Sequence, residues 1–196
     1  MNLLSSMNFT NKNILILGGL GFIGSNLAKK CVELGGNVTI VDSLDKNCGG
    51  NIFNIESFKE DIQFKQLNIL DDIALKGSLN KQDYVFNCAA HSSHAESMRN
   101  PHNNLDVNCR AVINILEILK NNHDEVVFVH LGTTTQFGKL IYQPADEKHP
   151  EFPADIYSAH KSLSEKYVLL YSEAYGMKNS VIRLPNTFGP RASIHS

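Results

Sequence analysis

The sequence predicts an α/β fold: a doubly wound parallel sheet with helices on both faces, also called a Rossmann fold. Two observations support this prediction. Short runs rich in Val, Ile and Phe alternate with longer amphipathic stretches, which is the pattern of βαβ units. A glycine-rich turn, GGLGFIGSNL from Gly18 to Leu27, directly follows the first apolar run. A strand joined to a helix through such a turn is typical of this class.

The predicted strands are short apolar runs separated by polar or glycine-containing segments. Such runs are too short for helices and suit strands that are buried on both faces of a parallel sheet. In chain order we predict strands over Asn13–Leu17, Val38–Val41, Ile62–Gln66, Tyr84–Asn87, Val126–Leu131 and Ser180–Leu184.

Three longer stretches predict helices. The first, Phe22–Leu34, is followed by Gly35 and Gly36, where a left-handed cap is needed. The third begins near Asp155, a good capping residue, and runs to Tyr175 before Gly176. The second, from about Asn104 to Lys120, has apolar residues at helical spacing: Leu105, Val112, Ile115, Leu116 and Leu119.

Composition limits the classes of function. The chain has 196 residues, 42% hydrophobic and 19% charged, with a formal net charge of -2. This is ordinary for a globular protein and indicates neither a nucleic-acid nor an acidic-membrane partner. No apolar run approaches the roughly 20 residues that cross a bilayer, and the amino terminus lacks the pattern of a signal peptide. We therefore expect one cytoplasmic domain over residues 1–196.

Cysteines and histidines raise the question of disulfides or metals. The four cysteines, Cys31, Cys48, Cys88 and Cys109, contain no CxxC pair and suggest reduced thiols. Among the eight histidines, His91 and His94 are three residues apart, and His130 falls on a predicted strand. The residues around them do not form a zinc-type pattern, so we predict no metal. His91 and His94 follow a strand, where substrate-side loop residues are expected.

The glycine turn indicates a dinucleotide site. Gly18 permits the tight turn, Gly21 lets the backbone approach a pyrophosphate, and Gly24 permits close packing of helix on strand. Asp42 ends the next strand 18 residues beyond Gly24, near the spacing of a carboxylate that binds the adenosine ribose. A purely structural turn with a capping Asp is the alternative.

Asp42 also bears on the choice of dinucleotide. A carboxylate there would repel a 2'-phosphate, and the following Ser43 and Leu44 supply no compensating arginine. NAD is therefore predicted rather than NADP.

The segment YSAHK places Tyr157 and Lys161 four residues apart on one face of the third predicted helix. A tyrosine is a weak base at neutral pH, but a nearby ammonium and a nicotinamide cation would favour the phenolate. The pair could then remove a proton from a carbinol while hydride leaves. An exposed helical pair without function is the alternative.

Upstream, the fifth strand ends in HLGTTTQFG. Hydroxyls at the carboxyl end of a strand lie where open α/β sheets bind ligands. Thr133 or Thr134 could therefore bind the reacting oxygen, although three threonines could equally form a polar loop.

Together these motifs resemble the extended short-chain dehydrogenase/reductase family, specifically its NAD-dependent nucleotide-sugar epimerases and dehydratases. The similarity includes GGLGFIGSNL, Asp42, NCAAH from Asn87, YSAHK, and RLPNTFGPR from Arg183. The resemblance covers essentially the whole chain from Asn13 to Arg191. Because several independent motifs occur in the family's order, it is more specific than any one of them.

The resemblance implies roles for particular residues. Tyr157 would be the base, Lys161 would bind the nicotinamide ribose, and Thr133 would occupy the catalytic Ser/Thr position. The substrate contacts would include Thr133, Thr134 and Asn186. The cofactor contacts implied are Gly18, Gly21, Phe22, Ile23, Gly24, Asp42, Asn68, Ile69, Ala89, Tyr157 and Lys161, with Asn68 a departure from the family's usual Asp.

The resemblance also narrows the reaction. The family's 4,6-dehydratases follow the threonine with an Asp-Glu pair, whereas this chain has Thr134 and Thr135, which do not ionise usefully. We therefore expect an epimerase, most simply a 4-epimerase acting through a 4-keto sugar. A dehydratase, a reductase and a non-catalytic NAD-binding module are the alternatives.

Family members usually continue well past this point into a domain that binds the nucleotide sugar. We therefore expect the substrate domain to be largely absent, in a fragment or in a truncated form. Members also commonly form dimers through helices like the one from Asn104 to Lys120. Its apolar stripe is consistent with half of such a homodimer contact or with core packing alone.

Overall fold

The computed structural model describes residues 8–121 and 125–192. It contains a six-stranded sheet in the order β3-β2-β1-β4-β5-β6, and every neighbouring pair is parallel. The predicted doubly wound α/β fold is therefore confirmed. The strands are β1 Asn13–Leu17, β2 Asn37–Asp42, β3 Ile62–Gln66, β4 Tyr84–Asn87, β5 Val127–Thr133 and β6 Lys178–Leu184.

In the described part of the chain, six α-helices connect these strands. They are α1 Phe22–Glu33, α2 Asp72–Leu79, α3 His94–Arg99, α4 Pro101–Leu105, α5 Ala111–Asn121 and α6 Ile156–Tyr175. Residues 106–110 form a π-helical turn between α4 and α5, so the second predicted helix is part of a longer helical stretch. The caps of α6 are as predicted, because Asp155 accepts the Ser158 N–H and Gly176 has a positive φ of 67°.

Two of these helices, α2 and α3, were missed from the sequence. Both are short, with eight and six residues, and too short to show a helical apolar stripe. Short 3-10 segments over Ile52–Asp61 and Thr134–Phe137 were missed for the same reason. Strands β2, β5 and β6 also differ by one to two residues at their ends from the predicted bounds.

The core has two layers, one on each face of the sheet. Along β1, Leu15 and Leu17 pack into the cluster that includes α5, whereas Ile14 and Ile16 pack into the cluster that includes α1. This alternation buries both faces of the central strand, as the doubly wound fold requires. The predicted α5 stripe belongs to the first layer, because Val112, Ile115, Leu116 and Leu119 are all buried there and only Leu105 is 40% exposed. Core packing therefore accounts for most of the stripe.

The order of the strands determines where a ligand can bind. From β1 the chain continues to β2 and β3 on one side, and it returns through β4 to β5 and β6 on the other. A crevice forms where these two directions separate, at the carboxyl ends of β1 and β4. The register pairs Leu17 with Asn87, which brings the glycine turn beside the segment after β4.

Within residues 8–121 and 125–192, no helix is both long enough and apolar enough to cross a bilayer. The four cysteines are not paired with one another in the structure.

Candidate active site

The glycine turn is closely packed against the segment after β4. Gly18 has a φ of +74°, and a Cβ at this position would lie 2.6 Å from the Ala89 nitrogen. A Cβ at Gly24 would lie 2.2 Å from the Gly18 carbonyl oxygen. Any side chain at either position would therefore push α1 or the β4 segment away from β1. Gly21 precedes α1 and brings no capping side chain to the first turn, which contains Phe22 and Ile23.

A cavity lies beside this turn at the carboxyl ends of β1, β2 and β4. Its lining also includes Asp45 and Cys48, which sequence reasoning did not select as site residues, and His91, which we expected in a substrate-side loop. Phe22, Ile23, Gly24, Tyr157 and Lys161 lie outside this lining. The structure thus brings six of the eleven predicted cofactor contacts to one cavity: Gly18, Gly21, Asp42, Asn68, Ile69 and Ala89.

Asp42 is held rigidly at the edge of this cavity. One carboxylate oxygen accepts the N–H of Leu20 at 3.0 Å, and the other accepts the N–H of Leu44 at 3.0 Å. Gly50 packs so closely that a Cβ there would lie 2.8 Å from Asp42 Oδ1. Among the described residues, the cavity lining contains two aspartates and neither lysine nor arginine. A 2'-phosphate would find no cation here.

Tyr157 lies at the first turn of α6 and is 9% exposed. Its side chain lies beside Thr133 at the end of β5, and the His94 and Tyr157 rings pack edge to face at a centroid distance of 4.9 Å. Burial raises the pKa of Tyr157, the Thr133 hydroxyl lowers it, and the nearby Asp155 raises it further. The net effect is a raised pKa, so the chain by itself does not show the phenolate-favouring effect that we expected from Lys161.

Lys161 is also buried, with 2% exposure, and burial lowers its pKa to about 8. Its Nζ lies 3.2 Å from Nε2 of His130 on β5. Lys161 therefore contacts a neutral imidazole in the core, and the causes that shift the pKa of Tyr157 do not include its charge.

His130 is a functional candidate that sequence reasoning did not develop. It is fully buried, and burial followed by the charge of Lys161 lowers its pKa well below the usual value. Its Nδ1 lies 3.2 Å from Asn87 Nδ2, and the side-chain oxygen Oδ1 of Asn87 accepts the Ala89 N–H. The imidazole thus connects Lys161 to the segment that lines the cavity. The sequence signal that could have identified His130 as a site residue is a histidine at a strand position that faces the core.

The three threonines occupy different positions. The Thr133 side chain is buried and accepts the N–H of Thr135, so that it caps the 3-10 segment Thr134–Phe137 after β5. Its Oγ1 also lies 3.0 Å from Thr135 Oγ1. Thr134 is half-buried beside them. Asn186 follows β6, is exposed and lies outside the cavity, so it is not brought together with the other candidates.

Tertiary structure also assembles a group that sequence spacing did not reveal. Ligand atoms of Asp45, Cys48 and His91 lie within 4.8 Å of one another at the cavity. However, His91 Nε2 already lies 3.2 Å from the Asn103 side-chain amide, and burial raises the pKa of Cys48 to about 11, with smaller contributions from Asp45 and Asp42. The Cys48 thiol is therefore protonated at neutral pH, and one ring nitrogen of His91 is already in contact with Asn103.

Comparison with known proteins agrees with this geometry. Residues 14–196 match the model of the NAD dependent epimerase/dehydratase family. A putative UDP-glucose 4-epimerase of Methanocaldococcus jannaschii is 35% identical over 180 residues, which cover 91% of this chain and 57% of that protein. Other relatives are named as decarboxylases and dehydratases.

Solved structures of nucleotide-sugar epimerases also share the fold of this chain. A UDP-N-acetylglucosamine 4-epimerase from Methanobrevibacter ruminantium superposes with a TM-score of 0.87 at 29% identity, covering 95% of this chain and 59% of that one. A UDP-glucose 4-epimerase from Thermotoga maritima has a TM-score of 0.83 at 31% identity, covering 91% and 57%. The chain thus spans little more than half the length of the proteins it matches. Its fold, its glycine turn and the family match together place it in the NAD-dependent epimerase/dehydratase family.

Proposed function

We propose that this chain is the NAD-binding and catalytic part of a nucleotide-sugar 4-epimerase. The observation that carries the proposal is the position of Tyr157, which is buried at the first turn of α6 beside Thr133, at the carboxyl end of β5. This edge of an open α/β sheet is where ligands bind. Several relatives named as 4-epimerases support the choice of reaction.

The residues present fit NAD. The close contacts at Gly18 and Gly24 leave backbone rather than side chains beside the cavity. The first N–H groups of α1 and the carboxylate of Asp42 are suitable partners for a pyrophosphate and a ribose. When bound, NAD supplies the group that accepts and returns a hydride.

In the proposed reaction, Tyr157 in its phenolate form takes the proton of the sugar C4 hydroxyl. Thr133 holds the same oxygen by a hydrogen bond, and Lys161 binds the nicotinamide ribose. Tyr157 then returns its proton after the 4-keto sugar has turned over. Thr134 and Thr135 contain no ionisable group that could assist loss of water, which disfavours a 4,6-dehydratase.

The test is a comparison of Tyr157→Phe with the unchanged complete protein on UDP-glucose, UDP-N-acetylglucosamine and dTDP-glucose. We expect interconversion at C4, and we expect kcat to fall at least about 100-fold in the variant because a general base is lost. Tyr175→Phe, an exposed tyrosine on the same helix, is the matched control and should retain full activity.

Product analysis distinguishes the alternatives. A stable 4-keto product would indicate a dehydratase, and consumption of added NADPH would indicate a reductase. NAD that is released on heating, without any conversion of sugar nucleotides, would indicate a non-catalytic binding module. Equal activity of Tyr157→Phe and the unchanged protein would refute the proposed role of Tyr157.

A further inference from the structure

A series of hydrogen-bonded polar side chains begins beside Tyr157. The Thr133 hydroxyl is close enough to Tyr157 to lower its pKa, and Thr133 Oγ1 lies 3.0 Å from Thr135 Oγ1. Thr135 Oγ1 in turn lies 2.9 Å from the hydroxyl of Ser158, on the first turn of α6. Three hydroxyl groups are therefore connected in series behind the tyrosine.

The series ends at an Asp-His pair. Ser158 Oγ lies 3.2 Å from Asp155 Oδ2, and the same carboxylate oxygen lies 2.7 Å from His94 Nδ1. Asp155 is fixed because its other oxygen accepts the Ser158 N–H at 2.8 Å. Although burial alone would raise the pKa of Asp155, the Ser158 N–H and His94 hold it below its usual value. Asp155 is therefore a carboxylate that can accept a proton.

Exposure changes sharply along this series. Tyr157, Thr133 and Ser158 are buried, whereas the His94 side chain is 50% exposed. Since Nδ1 of His94 is taken by Asp155, Nε2 is the ring atom that remains for exchange with water. The series thus connects Thr133, beside the buried phenol, to the surface through hydrogen bonds.

We propose that Thr133, Thr135, Ser158 and Asp155 form a proton relay between Tyr157 and His94, through which the tyrosine exchanges its proton with solvent. The proposal rests on the proposed function, because it is as a base that Tyr157 needs to lose this proton. The relay would serve an enzyme whose bound cofactor and substrate cover the tyrosine.

The protons balance along the relay. Tyr157 donates to Thr133, and each hydroxyl gives one proton to the next group as it receives one. Ser158 gives its proton to Asp155, Asp155 gives one to Nδ1 of the neutral His94 ring, and the imidazolium releases one from Nε2 to water. The net change is one proton moved from Tyr157 to water, which leaves the phenolate. Because hydroxyls rotate and serve as both donor and acceptor, the same path operates in reverse.

The relay can be tested without any measurement of catalysis. In the complete protein with 13Cζ-labelled tyrosine, dissolved in equal parts of H₂O and D₂O, a rapidly exchanging hydroxyl gives one averaged NMR line and a slowly exchanging one gives two. We expect one line for Tyr157 in the unchanged protein. Thr135→Val and His94→Gln should each slow the exchange by about tenfold or more, because each removes an acid-base group from the path.

Matched variants control for changes in structure. Thr39→Val lies on β2, away from the relay, and His102→Gln replaces an exposed histidine on α4, so neither should alter the Tyr157 line. Thr135→Ser retains the hydroxyl and should restore rapid exchange. If Thr135→Val does not fold, Thr135→Ala and His94→Gln provide the same test.

The outcomes separate this proposal from the proposed function. The relay is overturned if hydroxyl exchange of Tyr157 is unchanged both in the Thr135 variant (Thr135→Val, or Thr135→Ala) and in His94→Gln. This outcome does not depend on the activity. Slowed exchange in a protein without epimerase activity supports the relay and counts against the proposed function alone. If the relay and the proposed function are both correct, His94→Ala should slow both hydroxyl exchange and turnover. Added imidazole, which replaces the missing ring, should then restore the two rates together.

Discussion

The two halves of the sheet hold their polar groups in different ways. At the carboxyl ends of β1 and β2, the contacts are made by backbone: Asp42 accepts two main-chain N–H groups, and glycines allow the close approach. At β4 and β5, buried side chains contact one another, as in the imidazole of His130 beside Lys161. The first half is a cradle, by which we mean a site formed by closely packed backbone, whereas the second half is a network of buried ionisable groups.

This difference has an energetic consequence. A cradle built from backbone is sensitive to added volume, because backbone atoms cannot move aside independently. A network of buried ionisable groups is sensitive to charge, because burial disfavours the charged form of each member. A substitution that adds volume should therefore destabilise the first half most. A substitution that removes a charge should change stability most in the second half.

The largest effect is expected for Gly24→Ala in the first half. Its Cβ would lie 2.2 Å from the Gly18 carbonyl oxygen and 2.8 Å from the Gly19 Cα, so α1 must shift away from β1. We expect the free energy of unfolding, measured by urea denaturation, to fall by about 3 kcal/mol or more.

Gly77→Ala in α2 is the matched control, since a Cβ there meets nothing within 4 Å. Replacing a helical glycine without a clash should raise the free energy of unfolding by about 0.5 to 1 kcal/mol. Equal urea midpoints for Gly24→Ala and the unchanged chain would contradict the packing described for the turn.

Lys161→Met should have the next largest effect, with the opposite sign. Burial lowers the pKa of Lys161 from 10.5 to about 8, so between pH 8 and 10.5 the unfolded chain binds more protons than the folded one. The stability of the unchanged chain therefore rises with pH across this window. At pH 7 the buried charge costs up to about 3 kcal/mol, and Lys161→Met should be more stable by a similar amount.

This advantage of Lys161→Met should shrink as the pH is raised from 8 towards 10.5. Urea denaturation at several pH values measures it, and Lys76→Met, an exposed lysine on α2, should show no such trend. A difference that stays constant with pH would mean that Lys161 does not titrate in this window in the folded chain. The proposed function also predicts that the more stable variant is less active.

The smallest effect is expected for Asp42→Asn. The substitution preserves shape, but one of the two N–H groups from Leu20 and Leu44 then faces an amide NH₂. We expect a loss of about 1 kcal/mol in the free energy of unfolding. Removal of the negative charge should also weaken the preference of NAD over NADP by about tenfold, measured as a ratio of Kd values.

Asp61→Asn, an exposed residue far from the cavity, is the control and should change neither quantity. If Asp42→Asn retains the full preference for NAD, the absence of a cation in the cavity, rather than the carboxylate, would be what excludes NADP.

The first half was largely predictable from sequence. Close approach of backbone to backbone requires glycine, so the spacing of Gly18 and Gly24 in the sequence predicts a close backbone contact in the folded chain. Asn68, Ile69 and Ala89 were found only through resemblance to a family, yet they line the same cavity. Helices α2 and α3 were missed because short elements have too few turns to show periodicity.

The second half was predictable only in part. Tyr157 and Lys161 lie four residues apart on one helix, so the sequence predicted that they share a face. It did not predict the surroundings of either side chain. The expected lowering of the tyrosine pKa did not account for the burial of both groups, which raises the pKa of Tyr157 and lowers that of Lys161. Burial depends on neighbours that are distant along the chain.

By itself the sequence determined the doubly wound fold, the glycine turn, the acid at the end of β2 and the Tyr-Lys pair. These follow from local rules: periodicity of apolar residues, backbone freedom at glycine, and helical spacing. Only the tertiary structure decided that His130 contacts Lys161, that Asp45, Cys48 and His91 converge, and that hydroxyls and Asp155 connect Thr133 to His94. Those contacts join the loops after β2 and β4 to β5, α3 and α6, and their geometry is set by packing of the whole sheet.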